Sequence, residues 1–257
     1  MNRIITVLSA LLLIQLLVVK KTYADESEVK DCFEKLNRVT FALNMGLDKV
    51  IFKPVSKGYR KLPSPIRTGT SNALNNLSNL ITIPNNILQG DFGAAANNSV
   101  RLVVNTTLGI AGIFDPANSL GFEKKEKEDF GQTLGVMGVG EGCYLVLPVL
   151  GPTTVRDTVG SLISMNGGDV WHNVTVRDDE EYVKEFKESD YWVSRVTSGV
   201  DFRAKNLEAF DAMEKNSVDL YATVRSLYLQ DRKRKINNST SKTEAMDDGD
   251  WDTLENQ

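Results

Sequence analysis

The stretch from Asp129 to Asp157, DFGQTLGVMGVGEGCYLVLPVLGPTTVRD, constrains this chain more than any other. It sets Gly131, Gly135, Gly138, Gly140 and Gly142 into the short interval before the apolar run Tyr144 to Leu150, then closes on Gly151-Pro152. Glycines this dense cost too much backbone entropy for an ordinary helix interior, so they argue for tight turns and close backbone approach. The predicted order is a Gly-rich loop, a short apolar segment, a Gly-Pro stop and a new helix. Thr153 or Thr154 caps that helix, with Asp157 near the positive end of its dipole.

The 257 residues, 41% hydrophobic and 25% charged, allow one large domain or two small ones and can bury a core. Residues 1–24 read as a secretory signal: Arg3, the apolar run Ile4 to Val19, then Thr22-Tyr23-Ala24 as a small-x-small cleavage site. The competing reading is an uncleaved anchor, because Lys20-Lys21 directly follow the run. Losing the three cations of this segment takes the formal net charge from -4 to -7, and a mildly acidic protein is a poor general binder of nucleic acid. Cys32 and Cys143 both fall in the exported part, where they form a disulfide or stay as two free thiols. With one histidine in the chain they give no zinc-ligand cluster.

From Cys32, the positions Phe33, Leu36, Val39 or Thr40, Leu43, Leu47 and Val50 recur at three- and four-residue spacing and predict an amphipathic helix, with Asp31 as N-cap and Glu34 as its capping-box partner. Pro54, Pro63 and Pro65 end or bend helical segments. In Ser71 to Leu88, Leu74, Leu77, Ile81 and Leu88 share one face while Asn72, Asn75, Asn76 and Asn79 populate the other. A solvated amide face, a wet groove or a lipid headgroup zone each suit that pattern, and Pro84 must kink or break the helix. Ala94 to Phe114 is the most apolar part after the leader, with Arg101 its single charge; it reads as a core helix or as one lying in a membrane interface. Glu123 to Asp129 is a charged surface segment, Thr153 to Met165 a short helix, and Asn166-Gly167-Gly168-Asp169 a turn. Beyond the charged run DDEEYVKEFKESDYW, a helical pattern through Leu207, Phe210, Met213, Leu220, Val224 and Leu227 forms an amphipathic clamp, Gly199 separating it from the helix before. Residues 231–257, with Arg232-Lys233-Arg234-Lys235, read as a disordered polar tail.

The catalytic possibilities fail one by one. His172 is the only histidine, its surroundings DVWHNVTV hold no nucleophile signature, and there is no G-x-S-x-G elbow. Asp115, Asp157 and Asp169 stand where caps are expected. Gly138-x-Gly140-x-Gly142 lacks the G-x-G-x-x-G spacing, and no G-K-[ST] follows to hold phosphates. An exported, mainly helical chain without a catalytic constellation favours binding or conducting something apolar, and a lipid is the natural candidate.

DCFEKLNRVTFALN, NNILQGD, RLVVNTTLGIAGIFDPA and, above all, the Asp129–Asp157 stretch resemble the MlaA (VacJ) family of outer-membrane phospholipid-transport proteins, over about residues 31 to 225. The resemblance implies a mainly α, single ring-like helical domain over residues 25–230, lying in the inner leaflet of the outer membrane. It further implies a passive conduit that removes mislocalised phospholipid from the outer leaflet, partnered by a trimeric porin and a soluble periplasmic lipid carrier, with no cofactor and no metal. Gly135, Gly138, Gly140 and Gly142 then border the lipid path, with Tyr144, Leu145, Leu147 and Pro148 beside it as lining or as core. Family members are typically lipoproteins. Here Cys32 follows Val29-Lys30-Asp31, too polar and too far past the apolar run for a lipobox, which leaves interfacial helices, a porin or an uncleaved signal to hold the chain at the membrane. Cys32 and Cys143 stand where the family usually has proline, and the paired replacement implies that they are bonded to each other. Met137 replaces an aromatic common in that loop. The rival readings are an exported lipid hydrolase and a structural or adhesive surface protein.

Overall fold

A computed structural model describes residues 29–177 and 186–237. The leader 1–24, the first part of the charged run and the tail beyond Asn237 lie outside the described residues. The fold is mainly helical with one two-stranded sheet.

Helix α1, Glu34–Leu47, continues through a π-turn at Asp48–Phe52 into α2, Lys53–Tyr59. Pro54 sits in the first turn of α2, where its missing N–H costs little, so the helical path runs on through it. Asp31 is not the expected cap: Phe33 holds that position without a side-chain bond, and Asp31 instead accepts from Asn37 at 2.8 Å and from the Tyr221 hydroxyl. The amphipathic pattern is real but faces the opposite way from a core helix. Phe33, Leu36, Val39 and Leu43 are exposed, and the one buried residue of α1 is Asn37.

The inversion extends through the molecule. Among the described residues, eight apolar side chains are buried against 23 polar or charged ones, while 35 large apolar side chains are exposed. A protein folding in water does the reverse. Helix α3, Ser64–Leu88, and α4, Phe92–Thr107, are joined by a tight turn at Gly90 and zipped by amides: Asn98 donates to Asn86 at 2.9 Å and Asn76 to Thr106 at 2.9 Å. Pro84 does not break α3, which runs through it. Of the four amides on the expected polar face, Asn76 is buried and Asn72, Asn75 and Asn79 are half-buried, and Asn85 and Asn86 further along are buried as well. Helix α4 is not a core helix: Arg101 and Asn105 point inward to Asp115, at 2.7 and 2.9 Å, while Val103, Leu108, Ile110 and Phe114 are exposed. Asp115 also caps the short α5, Pro116–Ser119.

Asp129 opens α6, Phe130–Val136, by accepting from the Gln132 N–H at 2.9 Å. Gly131 and Gly135 therefore lie inside a helix, against the loop expectation, and the reason is close approach. A Cβ on Gly160 would meet the Gly131 nitrogen at 2.3 Å, so α6 and α7, Val155–Ile163, touch backbone to backbone. Between them Gly138 and Gly142 take positive φ of 89° and 69°, and the hairpin β1, Tyr144–Leu147, with β2, Gly151–Thr154, pairs antiparallel with Leu147 opposite Gly151. Thr154 caps α7 through the Asp157 N–H. After a turn with Gly167 at φ 123° comes α8, Val170–His172, capped by Asp169.

Helix α9, Glu188–Lys205, passes through Gly199 without interruption; the separation falls at Asn206, before α10, Leu207–Asn216. The last helix, α11, spans Leu220–Ile236. The basic run at 232–235 is thus helix, not tail. Its first member is among the most tightly bound side chains of the fold.

Candidate functional site

The Gly-rich motif is gripped from both ends of the chain. On the α1 side, Asn37 and Asn44, seven residues apart and hence on one helix face, act as a substitute strand for β1. Asn37 donates to the Tyr144 carbonyl at 3.0 Å and accepts the Val146 N–H at 2.9 Å; Asn44 donates to the Leu147 carbonyl and accepts the Val149 N–H, both at 2.8 Å. The outer edge of the hairpin is covered in this way. Val149, at φ 67°, is held in the left-handed region by the Asn44 bond. Cys32 and Cys143 form a disulfide with Cα atoms 5.6 Å apart, fastening the start of α1 to the residue before β1.

On the α11 side, Arg232 donates to both oxygens of Asp129, at 2.6 and 2.9 Å, and to Asp157 at 2.8 Å. Tyr228 donates to the other Asp157 oxygen at 2.5 Å. Burial alone would push Asp129 up, but the Arg232 hydrogen bonds and charge outweigh it and hold the carboxyl at about 2; Asp157 is lowered in the same sense. The guanidinium passes where a Cβ on Gly131 would stand, 2.7 Å away. That glycine is required by the clamp as well as by the helix contact. Asp157 was expected near the helix dipole, and it is there, but its main work is to bind Arg232.

The proposed path residues separate. Gly138 and Gly140 are exposed, with nothing within 4 Å of an added Cβ, and Gly142 faces Val155. Exposed Met137, Val139 and Val155 surround this loop. Gly135 lies off it, in α6 against Ile236 of α11. Tyr144 is fully buried with Val146 and Tyr221, and burial raises its hydroxyl to about 12; it is core. Leu145 and Leu147 alternate onto the opposite, half-buried face, and Pro148 is exposed at the turn. His172 packs edge-on against Tyr191, ring centres 5.0 Å apart, and Asp169 pairs with Arg195 at 2.5 Å. Among the described residues no group of His, Cys, Asp and Glu side chains is placed to hold a metal.

Sequence reasoning missed Asn37, Asn44, Arg232 and Glu128. The asparagines had a signal in their spacing of seven opposite the apolar stripe; Arg232 had none, sitting in a run that looks like a solvated tail. Glu128, expected on a charged surface, is 7% exposed and accepts from Gln89 at 3.0 Å. Burial raises its carboxyl to about 7, the Gln89 bond opposing and the Asp129 and Glu126 charges adding. Because the folded value lies above the unfolded 4.5, the folded state holds the extra proton and stability falls as pH rises between the two. Glu128→Gln is expected to be more stable than the parent above pH 7, by about 2–3 kcal/mol, and close to it at pH 4.5. Denaturant midpoints at both pH values test this; an equal difference at both would refute the burial account.

A family model described as MlaA lipoprotein matches residues 29–235. The chain belongs to the MlaA family. Curated relatives include the intermembrane phospholipid transport system lipoprotein MlaA of Escherichia coli, 33% identical over 80% of this chain and 78% of that protein, and its counterpart in Haemophilus influenzae, 30% identical over 82% and 81%. An uncharacterized protein of Rickettsia prowazekii is 33% identical over 81% of this chain and 79% of its own length. A solved structure described as the structural basis for maintenance of bacterial outer membrane lipid asymmetry superimposes with a TM-score of 0.65 at 31% identity, covering 80% of this chain and 99% of that one. The mainly helical, single-domain fold of this MlaA family member therefore has a solved counterpart.

Proposed function

We propose that the chain is a passive conduit for phospholipid, taking mislocalised lipid from the outer leaflet of the outer membrane towards a soluble periplasmic carrier. The observation that carries the reading is the inversion of the fold. Exposed apolar residues on α1, α4, α7 and the hairpin tip give the molecule an outer surface suited to acyl chains, while the interior is lined with amides and paired charges. No helix among the described residues is long and apolar enough to cross a membrane, which agrees with a chain seated in one leaflet. Relatives named for intermembrane phospholipid transport support the same reading.

A conduit of this kind needs no hydrolysis. Lipid moves down its own gradient provided its tails meet apolar side chains and its headgroup meets polar ones. In this reading the exposed loop Gly138–Gly142 borders the path, and the absence of Cβ contacts at Gly138 and Gly140 leaves it room to do so. A trimeric porin is the partner that would hold the apolar surface in place. Cys32 lies in the disulfide, so its sulfur is not available for a lipid anchor.

Deleting the protein in its own cell is expected to raise outer-leaflet phospholipid, measured by headgroup labelling of intact cells, with restoration by the full-length chain. No rise on deletion would overturn the proposal. Release of fatty acid from phospholipid vesicles by the purified protein would replace it with a hydrolase.

A further inference from the structure

Lysines recur at a step of four along the arm that joins α1 to α3: Lys49, Lys53, Lys57 and Lys61. A step of four follows one side of a helix, so α2 and the turn after it carry Lys53, Lys57 and Lys61 as a row. The inner side of α2 is set by Ser56, which is fully buried and donates to the Val200 carbonyl of α9 at 3.5 Å. Lys57 and Val55 leave on opposite flanks of Ser56, roughly 100° to either side, with exposed Pro54 and Gly58 outermost between them. The flank opposite the lysines is apolar. Val50, Ile51, Val55 and Leu62 are all exposed, Val50 by 74%.

The fold neutralises only part of this charge. Lys53 pairs with Asp211 of α10 at 2.7 Å and Arg60 pairs with Glu208 of the same helix, while Asp48 is spent on Arg203. Lys49, Lys57 and Lys61 are exposed and form no ion pair among the described residues. Five cations, Lys49, Lys53, Lys57, Arg60 and Lys61, against Glu208 and Asp211 leave this surface at +3 (5 - 2), on a chain whose formal net charge is -4. Like charges one helical turn apart repel, and nothing described in the fold relieves Lys57 beside Lys61. A lysine row alone is satisfied by water, and an apolar strip alone is satisfied by any apolar partner. Side by side on one short helix they fit a surface that is anionic at one level and hydrocarbon at the next.

We infer that α2 and its flanking turns form a binding surface for anionic phospholipid headgroups, with Lys49, Lys57 and Lys61 meeting the phosphates while Val50, Ile51, Val55 and Leu62 lie among the acyl chains. Lysine suits this task because its flexible stem crosses an apolar layer and delivers a point charge at the headgroup level. The inference goes beyond the conduit. Lipid bound here is the protein's surroundings and not its cargo, so a chain that moved no lipid would bind the same surface. It also supplies a hold on the membrane of the kind that a basic row and an apolar strip give together, independent of the Cys32 sulfur, which is spent in the disulfide.

The test dilutes the full-length protein from detergent into phosphatidylcholine vesicles with and without phosphatidylglycerol and separates bound protein by flotation. A lysine held at an anionic surface strengthens binding about fivefold, so the three free lysines predict a preference for phosphatidylglycerol of about a hundredfold. The protein's net negative charge alone would produce the opposite preference. Lys57→Gln with Lys61→Gln is expected to cut the preference about 25-fold, and Lys57→Arg with Lys61→Arg to keep it. Lys125→Gln with Lys233→Gln removes the same charge from exposed lysines elsewhere and is expected to leave it unchanged. Salt at about 1 M, where the screening length is about 3 Å, should abolish it. Circular dichroism and an intact Cys32–Cys143 bond establish that the variants are folded. Equal binding to the two kinds of vesicle would overturn the inference and leave an acidic protein face as the occupant. An equal loss in the Lys125 and Lys233 variant would overturn the assignment to α2, and no binding to either vesicle would overturn the surface altogether. None of these outcomes touches the conduit, which the outer-leaflet phospholipid of deletion cells tests separately.

Discussion

Replacing Arg232 with methionine is expected to lower the unfolding free energy by about 3 kcal/mol, because it strands the buried Asp157 carboxylate, while the half-exposed Asp129 is left to water. Asp129 would keep only its cap bonds to Gln132, and Asp157 would keep Tyr228 and the longer contact from Arg156 at 3.2 Å. Arg232→Lys should recover part of the loss, since an ammonium can reach one carboxylate but cannot bridge both as the guanidinium fork does. Adding Asp129→Asn and Asp157→Asn to Arg232→Met should also recover part of it by removing the stranded charge. The pH dependence carries a sign. Both carboxyls are depressed in the folded state, so the clamp is fully effective above the ordinary value of 3.8 and fades as the pH falls towards about 2. Denaturant unfolding of parent and variant at neutral and acid pH measures both effects, and a difference that stays constant down to pH 2 would show that the clamp is not ionic.

Reduction of the Cys32–Cys143 bond is the second large expected effect. The two residues are 111 apart in sequence, and closing so long a loop removes much of the freedom of the unfolded chain. The expected loss on reduction, or in Cys32→Ser with Cys143→Ser, is about 2–5 kcal/mol. The native hairpin should survive it, because Asn37 and Asn44 hold β1 without help from the sulfur atoms and the Tyr144 N–H still donates to the Lys30 carbonyl at 2.9 Å. Melting temperature with and without a thiol reductant reads the stability. Amide exchange at Val146 and Val149 reads the hairpin, and unchanged melting would show that the bond adds nothing.

Much of the fold was legible because periodicity does not depend on which side is wet. The three- and four-residue spacing of Phe33, Leu36, Val39 and Leu43 marks a helix whether that face meets a core or lipid, and so does the pattern of α3. What periodicity cannot convey is the direction of the apolar face, and that is why α4 reads first as a core helix until its neighbours are placed. The glycines show the same limit. Their density signals close approach, and Gly131 against Gly160 is such an approach, but whether the backbone is loop or helix depends on a partner far along the chain. Arg232 lay beyond sequence reasoning for a related reason. A basic residue among three others is distinguishable from a solvated tail only when Asp129 and Asp157 are seen to converge on it.

The two grips on the Gly-rich motif differ in kind, and the difference has a consequence for how it can move. The α11 grip is made of charges and loosens with acid; the α1 grip is made of a disulfide and two neutral amides, each amide giving one donor and one acceptor. Amides of this kind neither titrate nor respond to ionic strength, so the hairpin keeps its place on α1 across conditions that release the other side. The motif is therefore a one-sided hinge, with its pivot on asparagine and its catch on arginine.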